Sequence, residues 1–235
     1  MIPTFLFTAL FIQSAEIAYG KLSPLGRYIE SSNWKERKFA YQYSLNSVIG
    51  IKRQKMKPYL VHLVKRGSPP RYAPIIGEEF EFSSRRVALS ILAEWQDPSL
   101  IPLFLEFIVY QAPDPKRPIE TDAKGRQHSE DYFAAVKGLI DIGQPALEPT
   151  LRELIKSVIP TKFNANGDSY KTASVYVRYK NLIYVFWCIL DYQGTKDYFT
   201  REIEKLDKTN PKSADKLREA LKFLEKNYHH KRNKP

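Results

Sequence analysis

The sequence predicts an all-α chain, an α-α superhelix of about four stacked helical hairpins closed by a C-terminal capping helix. One observation is a stretch repeated at a shift of forty-seven residues, Leu92–Ile108 (LAEWQDPSLIPLFLEFI) and Leu139–Ile155 (LIDIGQPALEPTLRELI). At that shift Pro98 and Pro102 fall on Pro145 and Pro149. Leu92, Leu100 and Ile108 fall on Leu139, Leu147 and Ile155, while Leu105 meets Arg152. The other is the helical spacing of apolar residues on either side of each turn. A period in the forties with two helices per period marks hairpins that bury their apolar stripes only by stacking.

The first twenty residues stand apart. Ile2–Ile12 is an apolar run with Phe5, Leu6, Phe7, Leu10 and Phe11, and Ala18-Tyr19-Gly20 places small residues where a signal peptidase inspects. Residues 1–20 are therefore expected to be a signal peptide, although no Lys or Arg precedes the run. The run is short for a membrane span, so no stable span is expected after its removal. That removal takes one acid, Glu16, leaving 37 basic residues against 25 acidic and a net charge of +12 instead of +11. The expected location is extracytoplasmic, secreted or periplasmic, with the signal cleaved, and cytoplasmic without it. Residues 21–235 are then the helical repeat domain, with a basic tail at 228–235.

Within that domain Trp34, Phe39, Tyr43, Leu45 and Val48 form a first apolar stripe, broken by Gly50. A second helix runs from Lys52 to Lys65, where Pro58 stands for Pro102. Residues 67–83 are a loop by proline and glycine content. Ser83 or Ser84 then caps a helix Arg85–Trp95. Helix 99–110 points Leu100, Leu103, Phe104, Phe107 and Ile108 inward. Pro98 and Pro145 suit a first helical turn, where the missing N–H has no partner. Pro102 and Pro149 lie about one turn deeper and are expected to tilt or kink their helices. Residues 112–128 form a second polar loop, and Ser129 opens a helix with Tyr132, Phe133, Val136, Leu139 and Ile140 inward. Helix 146–158 ends at Pro160, and Asn166-Gly167 signals a turn. The most apolar helix covers about 170–192, since Tyr179, Leu182, Ile183, Phe186 and Leu190 keep helical spacing against a competing strand over 182–190. Tyr192-Gln193-Gly194 takes the place of Trp95-Gln96-Asp97, with Thr195–Leu206 as the partner helix. Asn210-Pro211 starts a last amphipathic helix with Ala214, Leu217, Leu221 and Leu224 inward and a Lys/Glu face outward.

The turns Asp-Pro-Ser-Leu-Ile-Pro-Leu (97–103) and Ile-Gly-Gln-Pro-Ala-Leu-Glu-Pro (142–149) resemble those of HEAT repeats. The resemblance implies a right-handed HEAT-like solenoid with a concave binding face, and implies little about activity. HEAT-like alkylpurine DNA glycosylases use Trp and Asp on that face. Trp95, Asp97, Trp187 and Asp191 invite the comparison, but no motif aligns residue by residue.

No reaction is written in the chain. His62, His128, His229 and His230 lack metal-ligand spacing, no nucleophile elbow or phosphate loop occurs, and no cofactor or metal is expected. The single Cys188 rules out an internal disulfide framework and is expected to be buried as a small hydrophobe. Two surfaces remain. Connections between hairpins are long, at 67–83, 111–128 and 159–169, and in a two-helix repeat they emerge on one edge. That rim, with Arg71, Tyr72, Glu78, Glu79, Glu81, Lys116, Arg117, Glu120 and Asp122, is expected to meet a protein partner; the alternative is solvated spacers. From Lys35 to Arg71 ten basic residues face one acid, Glu36. There Lys52, Arg53, Lys55, Lys57, Lys65 and Arg66, with Tyr41, Tyr43, Tyr59 and Tyr72 interleaved, form a polyanion-binding candidate for nucleic acid or an acidic cell-envelope polymer. The leading expectation is a non-enzymatic protein-binding scaffold module. Polyanion binding is the alternative, and an enzyme of unknown reaction on the same scaffold is the third. Nothing in the sequence sets an oligomeric state.

Overall fold

A computed structural model of the chain describes residues 20–21, 23–46, 53–66, 82–111, 133–160 and 169–228. All elements there are α-helices or short 3-10 turns, with no β-strand among the described residues, so the chain is all-α. Residues 182–190 are helical. The expected signal up to Tyr19, Gly50, the Asn166-Gly167 turn, the tail beyond Tyr228 and nearly all of the three long loops lie outside the described residues. The chain divides into two compact units, Met1–Gln96 with Tyr110–Gly138, and Asp97–Val109 with Leu139–Pro235.

The first unit contains α1 (Pro24–Ile29), α2 (Trp34–Asn46), α3 (Arg53–Lys65) and α4 (Ser84–Ala93). Its centre is α4, in which every residue from Arg86 to Ala93 is buried; α2 and α3 both pack on it, and α1 packs on α2. Ser83 holds the N-cap position of α4 without a side-chain bond, and Ser84 Oγ instead donates to Ile29 O at 2.6 Å. At α1, Pro24 occupies the first turn and Ser23 Oγ accepts from Gly26 N at 3.0 Å. Beyond α4, Lys137 Nζ meets Glu94 Oε1 at 3.0 Å with both side chains largely buried.

Two residues of the stripe expected on α2 face outward, and Val48 lies outside the described residues. Phe39 and Tyr43 are each 50% exposed, while Ala40, Tyr41 and Arg37 are buried. The reason is Arg37, whose guanidinium donates to Phe82 O (2.6 Å), Ser31 O (2.6 Å) and Ser32 O (3.0 Å). With those carbonyls paired, the arginine goes inward and the aromatic residues opposite it turn out. In α3, Pro58 lies inside the helix, not in the first turn that Pro102 occupies.

The second unit opens with a 3-10 turn (Pro98–Leu100) running into α5 (Ile101–Glu106). After α6 (Ala134–Ile142), which begins in the first unit, a second 3-10 turn (Gln144–Ala146) runs into α7 (Leu147–Lys156). The kinks expected at Pro102 and Pro149 do not arise. Each of α5 and α7 is entered through a 3-10 turn carrying the first proline, and the second proline falls within the first three residues of the α-helix, where its N–H would have had no partner. The long α8 (Ser169–Thr209) is two helices joined at Asp191 (φ 62°, ψ −173°), and α9 (Pro211–Tyr228) packs along it. The break comes at Asp191 and not around Gln193. Its Oδ1 accepts from Gly194 N at 2.9 Å, capping the second piece. Cys188 is half-buried, Leu221 gives way to Ala220 on the buried face of α9, and Tyr228 is buried against Trp187.

Two regularities run through these helices. Among the described residues the left-handed backbone positions are Gln96 (φ 52°), Gly143 (φ 75°) and Asp191 (φ 62°), 47 and then 48 residues apart. A positive φ thus recurs at this spacing, although the residue types differ. The second regularity concerns orphan carbonyls at helix ends. Arg85 Nε donates to Val64 O at the end of α3 (2.7 Å), and Arg178 donates to Leu105 O in the last turn of α5 (3.0 Å). Asn181 Nδ2 donates to Ile108 O just beyond α5 (2.7 Å). Lys216 Nζ donates to Ile155 O in α7 (2.8 Å) and to Ser157 O just past it (3.2 Å). Cations at these ends also answer the negative pole of the helix dipole, so part of the basic excess is structural.

Burial raises the hydroxyls of Tyr59 and Tyr179 well above the ordinary 10.0, helped by the carboxylates of Glu30 and Glu219 respectively. The folded chain keeps protons that the unfolded chain releases, so stability present below about pH 10 is lost as pH rises past it. Urea unfolding midpoints are expected to fall above that pH. Tyr179 Oη has no hydrogen-bond partner among the described residues. Tyr179→Phe should therefore flatten the alkaline slope and leave neutral stability unchanged or raised by about 1 kcal/mol; a loss at neutral pH would contradict this.

Candidate functional site

In the second unit α5 lies beside α7, and between them runs an open groove of about 570 Å³. Pro98, Ile101, Pro102 and Leu105 line one side, Pro149, Arg152, Glu153 and Lys156 the other, with Arg178 of α8 reaching in. The two walls are register equivalents, since Pro102, Leu105 and Glu106 become Pro149, Arg152 and Glu153 at the forty-seven-residue shift. The proline rings contribute apolar surface with no N–H to satisfy. Arg178 is held in place by Leu105 O and by Glu153 Oε2 (2.8 Å), and Lys156 Nζ meets Glu153 Oε1 at 3.3 Å. Arg152 extends into solvent, 3.9 Å from Glu148. The groove thus has apolar walls and a rim of mixed charge, with Arg152 and Lys156 on it beside Glu106 and Glu153. The prolines are visible in the sequence; Arg178 is not, because its partner carbonyl is 73 positions away.

The basic run divides once folded. Arg37 is buried and belongs to the fold. Arg53 sets its guanidinium 5.9 Å from the Trp95 ring, and Arg66 pairs with Glu30 at 2.8 Å. Lys55 and Lys65 are exposed and Lys57 half-buried on the outer side of α3, opposite Met56, Tyr59, Leu60, Leu63 and Val64. No acid occurs between Arg53 and Arg66. Lys52 lies outside the described residues. So do all the rim candidates, Arg71, Tyr72, Glu78, Glu79, Glu81, Lys116, Arg117, Glu120 and Asp122.

Of the residues that invited comparison with a glycosylase, the two aspartates have local structural jobs. Asp97 Oδ1 accepts from Ser99 N (2.9 Å) and Oγ (2.7 Å), capping the 3-10 turn, and Asp191 caps within α8. Trp95 is buried, and Trp187 stacks at a tilt on Tyr228, centroids 5.2 Å apart. Among the described residues no group of His, Cys, Asp and Glu is arranged to hold a metal ion, and no helix is long and apolar enough to cross a membrane. No protein-family model, curated protein or solved structure matches the chain.

Proposed function

We propose that the chain is a non-enzymatic HEAT-like repeat module, its hairpins stacked as a solenoid over residues 21–235, that holds a protein partner and is exported after loss of residues 1–20. The recurrence of left-handed turns at Gln96, Gly143 and Asp191 supports the stacking. The observation that carries the binding role is the groove between α5 and α7, whose walls are the same positions of successive repeats. An extended segment of a partner would lay apolar side chains on Ile101, Leu105 and the prolines, with its carboxylates toward Arg152 and Lys156. In repeat proteins such aligned second helices form the binding surface.

Affinity capture with the chain lacking residues 1–20, read by mass spectrometry, tests this against a variant carrying Arg152→Glu and Lys156→Glu. Both side chains are largely exposed, at 63% and 71%, so folding should be unaffected. A partner retained by the parent and lost by about tenfold or more from the variant is expected. Equal retention by both removes the groove from the proposal, and the N-terminal mass of the native protein tests the export. A second reading, polyanion binding through Lys52, Arg53, Lys55, Lys57, Lys65 and Arg66, is favoured by the acid-free run from Arg53 to Arg66.

A further inference from the structure

Tyr28 (41%), Phe39 (50%) and Tyr43 (50%) are three of the most exposed large apolar side chains of the described residues, and they lie together on α1 and α2. Tyr28 and Phe39 meet edge to face at 5.4 Å and 67°, and Phe39 and Tyr43, one turn apart, stack at 6.1 Å and 25°. Water-facing rings in a contiguous row forgo the burial that aromatic residues normally gain, and such a patch with a polar border marks an interaction site. The border here carries two cations and one acid, Glu36, itself exposed on the face of Phe39 and Tyr43. Arg27, beside Tyr28, and Lys35, one turn before Phe39, are both exposed, and Glu36 is the only acid of α2.

We infer that this ladder is a stacking platform for single-stranded nucleic acid, in which Tyr28, Phe39 and Tyr43 take bases while Arg27 and Lys35 take phosphates. The inference rests on the polyanion reading of the first unit and adds to it the class of ligand. Cations alone would serve any polyanion. Rings also bury apolar surface against a protein, but a polyanion gains most from them when it carries π-faces of its own, and every base has one, whatever the sequence. An acidic polysaccharide would need ring faces in one plane for its sugars, whereas Tyr28 and Phe39 stand 67° apart. Duplex would be poorer, because its bases are already stacked and only its phosphates are offered.

The test is fluorescence anisotropy of a labelled oligothymidylate with the full chain, against heparin and a duplex of equal length, at low salt. Phe39→Ala with Tyr43→Ala should weaken the oligothymidylate by about tenfold or more and leave heparin unchanged. Phe39→Tyr should retain the parent affinity. Because both rings are half-exposed, circular dichroism and the urea midpoint should match the parent, which separates lost stacking from lost folding. If removing the rings leaves oligothymidylate binding unchanged while Lys55→Glu with Lys57→Glu abolishes it together with heparin binding, the polyanion reading stands and the stacking platform is overturned. Equal affinity for duplex and single strand overturns it too. If neither heparin nor oligothymidylate binds the parent, both readings fall.

Discussion

Arg37→Ala is expected to be the most damaging single substitution in the first unit, costing about 3–5 kcal/mol. A surface arginine would cost almost nothing. This one is 8% exposed and serves Phe82 O, Ser31 O and Ser32 O together. Removing it leaves three carbonyls short of a donor and opens a hole between α2 and the residue that leads into α4. Arg37→Lys should rescue little, since an ammonium cannot reproduce the planar fork. Urea unfolding of the full chain measures the loss. A change below about 1 kcal/mol would show that water replaces the guanidinium at those carbonyls.

The second large effect is expected at Gly26. A Cβ there would collide with the carbonyl oxygen of Gly20, a backbone atom. Gly26→Ala should therefore cost about 2–4 kcal/mol through displacement of α1. The same carbonyl accepts from Ser23 N (3.2 Å) and Ser23 Oγ (2.6 Å). A chain beginning at Lys21 lacks that oxygen. In it, Gly26→Ala should cost less, since the nearest remaining atom is Lys21 O at 3.0 Å, and the parent itself should be weaker by about 1 kcal/mol for the lost bonds. Urea unfolding of the four proteins, with and without the first twenty residues and with and without the substitution, gives the double-mutant cycle. An equal penalty in both lengths would mean that Gly20 does not make the contact.

Much of the fold is legible in the residues themselves. The two proline-bearing turns, the helix over 182–190 and the start of α9 come from period and turn chemistry, and the structure keeps them. The face of α2 is different. Reading it requires knowing that three carbonyls can draw an arginine into a core, and one of them, Phe82 O, lies 45 positions away. The signal available is the absence of a clean apolar stripe on α2, which has apolar side chains on opposite sides. Asp191 escapes notice because its backbone (φ 62°, ψ −173°) lies where glycine is the usual residue; its carboxylate caps the second helix of α8. The groove is half legible. Its prolines repeat in the sequence, but Arg178 becomes part of it only through folding.

The bonds that close the helix ends share a direction. Val64 O, Leu105 O and Ile155 O each receive a donor from further along the chain, 21, 73 and 61 positions later. During synthesis, each of these termini stays unlatched until a later segment has emerged from the ribosome. Loss of α9 would thus reach back and unfasten α7, so premature termination should harm more of the molecule than the stretch it deletes.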